Sequence, residues 1–186
     1  MTPAVPPTEP AEPSIAPPAV SPAVSPAATP AGTLTAEDRG LLADLVARYA
    51  LFADNQDIAA LARLFTDDGV LVLPEPPKTL GPALTHTGHD EILRAMSSLE
   101  RIPVTFHALV GQVFDAGPEP LTATGTVACA AHHLTARAGE PSDLVWHLRY
   151  RDRYRREGGT WRIAHRAIQI DWIETRPVRR WREQDA

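Results

Sequence analysis

The sequence has one cysteine, Cys129, in 186 residues. A lone thiol can form no internal disulfide and cannot build a cysteine-based zinc site, so a cytoplasmic location is the expectation. No apolar run approaches the roughly 20 residues of a membrane-spanning helix. The first residues lack the basic start of a secretory signal, and proline interrupts their apolar positions every few residues. Net charge is -5, with a pI near 5.8, which excludes general nucleic-acid binding through a basic surface. Glycine-rich phosphate loops are missing, so no nucleotide cofactor is expected. His107, His132 or His133, His165 and Asp171 have ligand chemistry but no recognised metal-site spacing, so no metal is expected either.

Aromatic residues are missing from the first thirty or so positions, which hold most of the prolines. Such a segment buries too little apolar surface to offset its ordering entropy. Residues 1–33 are expected to be a disordered Pro/Ala-rich tail acting as a spacer. Residues 34–175 form the expected single domain, and 176–186, with Arg176, Arg179, Arg180 and Arg182, a solvated basic end.

What remains divides into helices followed by strands. Thr35-Ala36-Glu37-Asp38 has the chemistry of a helix start, and Leu41, Leu42, Leu45, Val46, Tyr49 and Phe52 then recur at helical spacing. This helix should end near Ala53. Asp57 can cap a short second helix through Phe65, closed by Thr66-Asp67-Asp68-Gly69. A brief strand, Val70 to Leu73, leads into a proline-broken loop from Pro74 to Pro82 that could fold over a cavity mouth, and a third helix follows Gly88-His89-Asp90. Thr105–Phe114, Thr122–Thr135, Leu144–Arg156 and Trp161–Ile173 read as strands of an antiparallel meander. The fold class is α+β, with N-terminal helices packed on a strongly curved, mainly antiparallel sheet enclosing a pocket.

Histidine suits proton transfer near neutral pH, and a carboxylate beside it fixes its tautomer. His107 lies on a strand with Thr105 and Leu109 as same-face neighbours. His132 and His133 are adjacent, so strand alternation turns one inward and the other outward; His132 is slightly favoured as the inward one, and the small residues Ala128, Ala130 and Ala131 leave room above the sheet. Trp146, Leu148, Tyr150, Asp152 and Tyr154 share one strand face; Arg149, Arg151 and Arg153 share the other, read as solvated or subunit-contacting.

Arg48-Tyr49-Ala50 then Asp54, Leu64-Phe65-Thr66-Asp67-Asp68-Gly69, Gly88-His89-Asp90-Glu91-Ile92, Phe106-His107, and Trp161-Arg162-Ile163 with Asp171-Trp172 together resemble the SnoaL-like branch of the NTF2-like superfamily. The resemblance implies a cone-shaped domain, commonly a dimer or trimer. Its relatives include polyketide cyclases, scytalone and bile-acid dehydratases, ketosteroid isomerases and dioxygenase small subunits. It also implies a cavity faced by Tyr49, Asp54 and His107, although Tyr49 and Asp54 converge only if the helix ends before Asp54, because five helical steps separate them by about 140°.

The reading is a cofactor-independent dehydratase, isomerase or cyclase for a hydrophobic hydroxy-ketone. His107 would be the acid or base, Asp54 its orienting partner, Tyr49 an oxygen donor and His132 a second proton carrier. Phe52, Leu73, Leu109, Trp146 and Tyr150 would line the pocket, with Tyr150 or Tyr154 open as further donors. Expected partners are the small molecule and one or two further copies, a homodimer or homotrimer, with neither nucleic acid nor membrane. The rival reading is a non-catalytic ligand-binding or assembly subunit.

Overall fold

The computed structural model describes residues 32–137 and 140–179. The tail through residue 31 and the basic end from residue 180, Arg180 and Arg182 included, lie outside the described residues. The first helix, Ala36–Asp54 (α1), begins at Thr35 with a capping box. Thr35 Oγ1 accepts the Asp38 N–H at 3.0 Å, and the Asp38 carboxylate accepts the Thr35 N–H at 3.2 Å. Asp38 Oδ1 also accepts from Trp161 Nε1 and Arg156 Nη1, each at 3.0 Å, so the cap ties the helix start to the far end of the sheet. These donors, the Thr35 hydroxyl first, hold the Asp38 carboxyl below its ordinary range. The buried stripe of α1 is Leu42, Leu45, Val46, Tyr49, Ala50 and Ala53, whereas Leu41 is exposed and Phe52 half-buried at its margins.

Asp57 caps Ile58–Ala62 (α2) through the Ala60 N–H. Phe65–Glu75 (β1), Thr79–Thr87 (β2), Gly88–Met96 (α3), Val104–Ala116 (β3), Thr122–Arg137 (β4), Glu140–Glu157 (β5) and Thr160–Pro177 (β6) follow. The sheet order is β2-β1-β6-β5-β4-β3. Among the described residues only the β1–β6 pair is parallel, and the expected antiparallel meander is β3 to β6. Register shifts in β3–β4 at Leu109/Gly111, and in β5–β6 at His147/Leu148 and Arg153/Tyr154, mark bulges that bend the long strands.

Three local expectations are corrected. The brief strand at Val70–Leu73 is the middle of an eleven-residue strand. Thr66-Asp67-Asp68-Gly69 does not close α2 but forms an irregularity inside β1, where the register with β6 shifts between Phe65 and Val70. Gly69 is required there, since a Cβ would sit 2.8 Å from both the Phe65 Cβ and the Thr66 carbonyl oxygen. The Pro74–Pro82 segment is not a lid: Pro74 and Glu75 finish β1, the chain turns, and Thr79 starts β2. Pro76 and Pro77 lie in the turn, and Pro82 is tolerated because β2 is an edge strand, where a missing N–H costs no ladder bond.

The core carries one charged network. Arg166 on β6 has no solvent exposure, and it meets Asp152 on β5 through two parallel bonds, Nε–Oδ1 at 2.9 Å and Nη2–Oδ2 at 2.7 Å. Tyr154 donates its hydroxyl to Asp152 Oδ2 at 2.5 Å. The guanidinium lies 4.0 Å from the Tyr49 ring centre and 4.2 Å from that of Tyr150, so two aromatic faces enclose it. Burial works against the Arg166 charge, and the adjacent Asp152 carboxylate overcomes it. Replacing Arg166 with Ala strands a buried carboxylate, and urea unfolding is expected to show a loss of about 3–5 kcal/mol. Asp152→Ala should cost a similar amount. The double variant should cost clearly less than the sum; additive losses would mean that the pair is not coupled.

Candidate functional site

Asp54 is the last residue of α1, a poor place for a negative charge because the helix dipole is negative at that end. The compensation comes from β3. The His107 backbone N–H donates to both Asp54 carboxylate oxygens, at 3.1 and 2.9 Å, and His107 Nδ1 lies 2.6 Å from Oδ1. A carboxylate can only accept, so Nδ1 carries a proton, and in the neutral form of the ring Nε2 presents a lone pair. The His107 side chain is 7% exposed and that of Asp54 18%, so the pair is largely shielded from water.

Strand register decides which histidine joins them. His107 stands opposite Ala131 and Thr105 opposite His133, which puts His133 on the face of His107. Their ring centres are 6.3 Å apart. The preference for His132 is therefore corrected: His132 turns to the outer face, bonds Asp143 at 2.7 Å and packs near Phe106. Ala131 turns inward with His133, so by strand alternation Ala128 and Ala130 face outward and leave no room above the inner face. His133 is 6% exposed, and its Nδ1 donates to the Leu144 carbonyl at 3.1 Å. Burial pushes its pKa below the ordinary value, partly opposed by that hydrogen bond, so its Nε2 is also a free acceptor at neutral pH. Beyond it lies Trp146, its ring centre 4.9 Å from that of His133.

Tyr49 does not converge with Asp54 through an early helix end, because α1 continues through Asp54 and the two side chains leave on different sides. Tyr49 enters the core against Phe65, Tyr150 and Arg166, its hydroxyl meeting the Met96 sulfur at 4.0 Å. Burial first, only partly offset by Arg166, raises its pKa. Leu109 and Trp146 share the inner face with His107, Phe52 and Leu73 are partly buried against the core, and Tyr150 is buried against Arg166. Tyr154 is not a spare donor, since its hydroxyl serves Asp152, and the buried Tyr150 ring covers the guanidinium.

The outer face has its own chemistry. His147 bonds Glu174 at 2.6 Å and stacks on Trp172 at 4.1 Å, and Arg149 pairs with Asp171 at 3.3 Å. A groove of about 400 Å³ lined by Asp68, Val70, Thr124, Arg153 and Arg155 includes none of the candidate catalytic residues. Among the described residues no three His, Cys, Asp or Glu side chains gather as a metal site, and no helix is long and apolar enough to cross a membrane.

The model of the SnoaL-like domain matches residues 34–167. The chain belongs to this SnoaL-like family. Among solved structures it is similar to a candidate scytalone dehydratase of Novosphingobium aromaticivorans, at 18% identity and a TM-score of 0.64, covering 77% of this chain and 90% of that one. A candidate aromatic ring hydroxylase from the same organism has 20% identity, a TM-score of 0.64 and coverage of 77% and 96%. An NTF2-like protein with a cystatin-like fold, also from that organism, has 22% identity, a TM-score of 0.55 and coverage of 73% and 82%. No curated protein matches the sequence. These likenesses establish an α+β NTF2-like cone, and SnoaL-like membership fits small-molecule binding and a dehydratase, isomerase or cyclase type of chemistry.

The lowered His133 pKa has a sign that can be tested. The unfolded chain titrates this histidine near 6.5, so just below that pH the unfolded state binds the extra proton and stability falls as pH drops. Urea midpoints between about pH 7 and 5 should decline in the wild type, and His133→Gln should flatten that decline. An unchanged slope would mean that the buried imidazole does not control it.

Proposed function

We propose that the chain is a cofactor-independent dehydratase or isomerase for a hydrophobic hydroxy-ketone of polyketide, aromatic or steroid-like character. The supporting observation is the His107–Asp54 pair, which presents a bare imidazole nitrogen on the inner face with its tautomer held by a carboxylate. In a dehydration, His107 Nε2 takes the proton next to the carbonyl and leaves an enolate. The enolate expels the β-hydroxyl, the C–O bond breaks, and the proton on His107 leaves with the hydroxide as water. In an isomerisation the same proton returns to another carbon. Asp54 stabilises the imidazolium formed between these steps, while His133, neutral and 6.3 Å away, accepts a substrate hydroxyl proton as a hydrogen bond.

The test uses the aldol of benzaldehyde and acetone, whose dehydration to benzylideneacetone is followed by absorbance. His107→Gln should lower kcat by about 10²–10⁴-fold, the usual range for a positioned acid or base. Asp54→Asn should also lower it, with loss of the Nδ1–H tautomer in nitrogen NMR. Wild-type turnover in both variants would overturn the reading.

A second reading concerns assembly. Phe106, Val110, Val113 and Trp172 are between 54% and 74% exposed; strand register sets Phe106, Val113 and Trp172 on the outer face and Val110 stands at the β3 bulge between them, a surface suited to contact with another copy. Sedimentation should give a homodimer or homotrimer that Phe106→Glu with Trp172→Glu dissociates. A monomeric wild type would remove this reading.

A further inference from the structure

Four buried side-chain atoms have no hydrogen-bond partner among the described residues: Thr66 Oγ1, Asp143 Oδ1, Trp146 Nε1 and Arg166 Nη1. An unmade hydrogen bond of this kind costs about 1–3 kcal/mol, so each asks for an explanation. Thr66 lies in the β1 irregularity, Asp143 serves His132 on the outer face, and Arg166 is sealed between two tyrosine rings. Trp146 differs from these. It stands opposite Ala131, the residue that also faces His107, and its ring is half-buried against His133.

Trp146 Nε1 can only donate, and His133 Nε2 can only accept while Nδ1 is held by Leu144. The two rings are centred 4.9 Å apart, and the two oxygens of a β-hydroxy ketone lie about one hydrogen-bond length, ~2.8 Å, apart in its compact conformer. Resting on the proposed hydroxy-ketone chemistry, we propose that Trp146 and His133 form a donor–acceptor pair that reads the two oxygens together. The indole N–H binds the ketone oxygen, where negative charge grows in the enolate, and the imidazole accepts a hydrogen bond from the hydroxyl. Trp146 thereby supplies the oxygen donor that Tyr49, with its hydroxyl at Met96, does not offer from its observed position. A ligand with both groups gains two hydrogen bonds, while one lacking the carbonyl leaves the indole N–H orphaned. Such sites discriminate strongly against the analogue that cannot make the bond.

The full-length chain, labelled with nitrogen-15 at the tryptophan indoles and at histidine, is titrated with three probes. They are the benzaldehyde–acetone aldol, benzylacetone, which lacks the hydroxyl, and 1-phenyl-1-butanol, an alcohol that keeps the benzylic hydroxyl and lacks the carbonyl. The signal missing from Trp146→Phe identifies Trp146. It should move downfield with both ketones and stay fixed with the alcohol, while the Trp161 indole, already bonded to Asp38, stays fixed throughout. Trp146→Phe, which keeps an aromatic ring, should weaken the ketones about tenfold and leave the alcohol unchanged. If the His107 ring signals respond but the Trp146 indole does not, the donor assignment falls and the His107 reading stands. If neither responds to any probe, both fall together.

Discussion

The Arg166–Asp152 pair is the constraint around which the domain is arranged. Two charges without solvent are costly, and their attraction outweighs that cost only when geometry and remaining hydrogen bonds are good. Here the pair is bidentate, Tyr154 adds a donor to the carboxylate, and two tyrosine faces cover the cation. The participants come from α1, β5 and β6. Any slip of β5 against β6 would separate the pair and turn Arg166 toward the other face, so the charge fixes strand register more strictly than apolar packing alone could.

That register propagates to the candidate site. With Asp152 and Tyr150 held inward, alternation along β5 also holds Trp146 inward, and the β4 partner of Trp146 is Ala131. Ala131 in turn sets His133 inward and stands opposite His107 on β3. The same network has a cost for function: it takes Tyr49 and Tyr150 as covers for the guanidinium, so the hydroxyl-bearing rings nearest the inner face are committed to structure. The site is left with imidazoles and an indole as its free polar groups.

The fold was largely legible because its signals are local and repeated. Helical spacing from Leu42 to Tyr49, the turn chemistry at Asp57 and the β-rich runs after Thr105 each need only neighbouring residues to be read. The misreadings fall where a distant partner decides. Thr66-Asp67-Asp68-Gly69 has the composition of a turn, and only pairing with Ile163 and His165 makes it a distortion within a strand. Thr79 to Thr87, with Gly81 and Pro82 inside it, carries weak strand propensity, and pairing with β1 overrides it. Asp54 and His107 were recognisable through the family pattern. The choice between His132 and His133 was not, since alternation gives opposition but not sign, and the sign comes from cross-strand register. The family match carries the fold, a cone that many chemistries share.

Asp54 joins the end of α1 to the candidate site on β3. At the C-terminus of a helix a carboxylate is opposed by the dipole, by about 0.3–1 kcal/mol in exposed cases, and no cationic residue occupies the last turn to relieve it. A turn-forming residue without charge would serve the helix better. The charge is instead met by three contacts from a single residue 53 positions away, the backbone N–H to both oxygens and the ring to one. Binding the backbone as well as the ring fixes the position of His107 on its strand, so the lone pair at Nε2 is directed by the main chain and not by a side-chain rotamer alone. In the proposed chemistry the backbone bond places His107, and the carboxylate-to-imidazole bond holds the Nδ1–H tautomer and steadies the imidazolium.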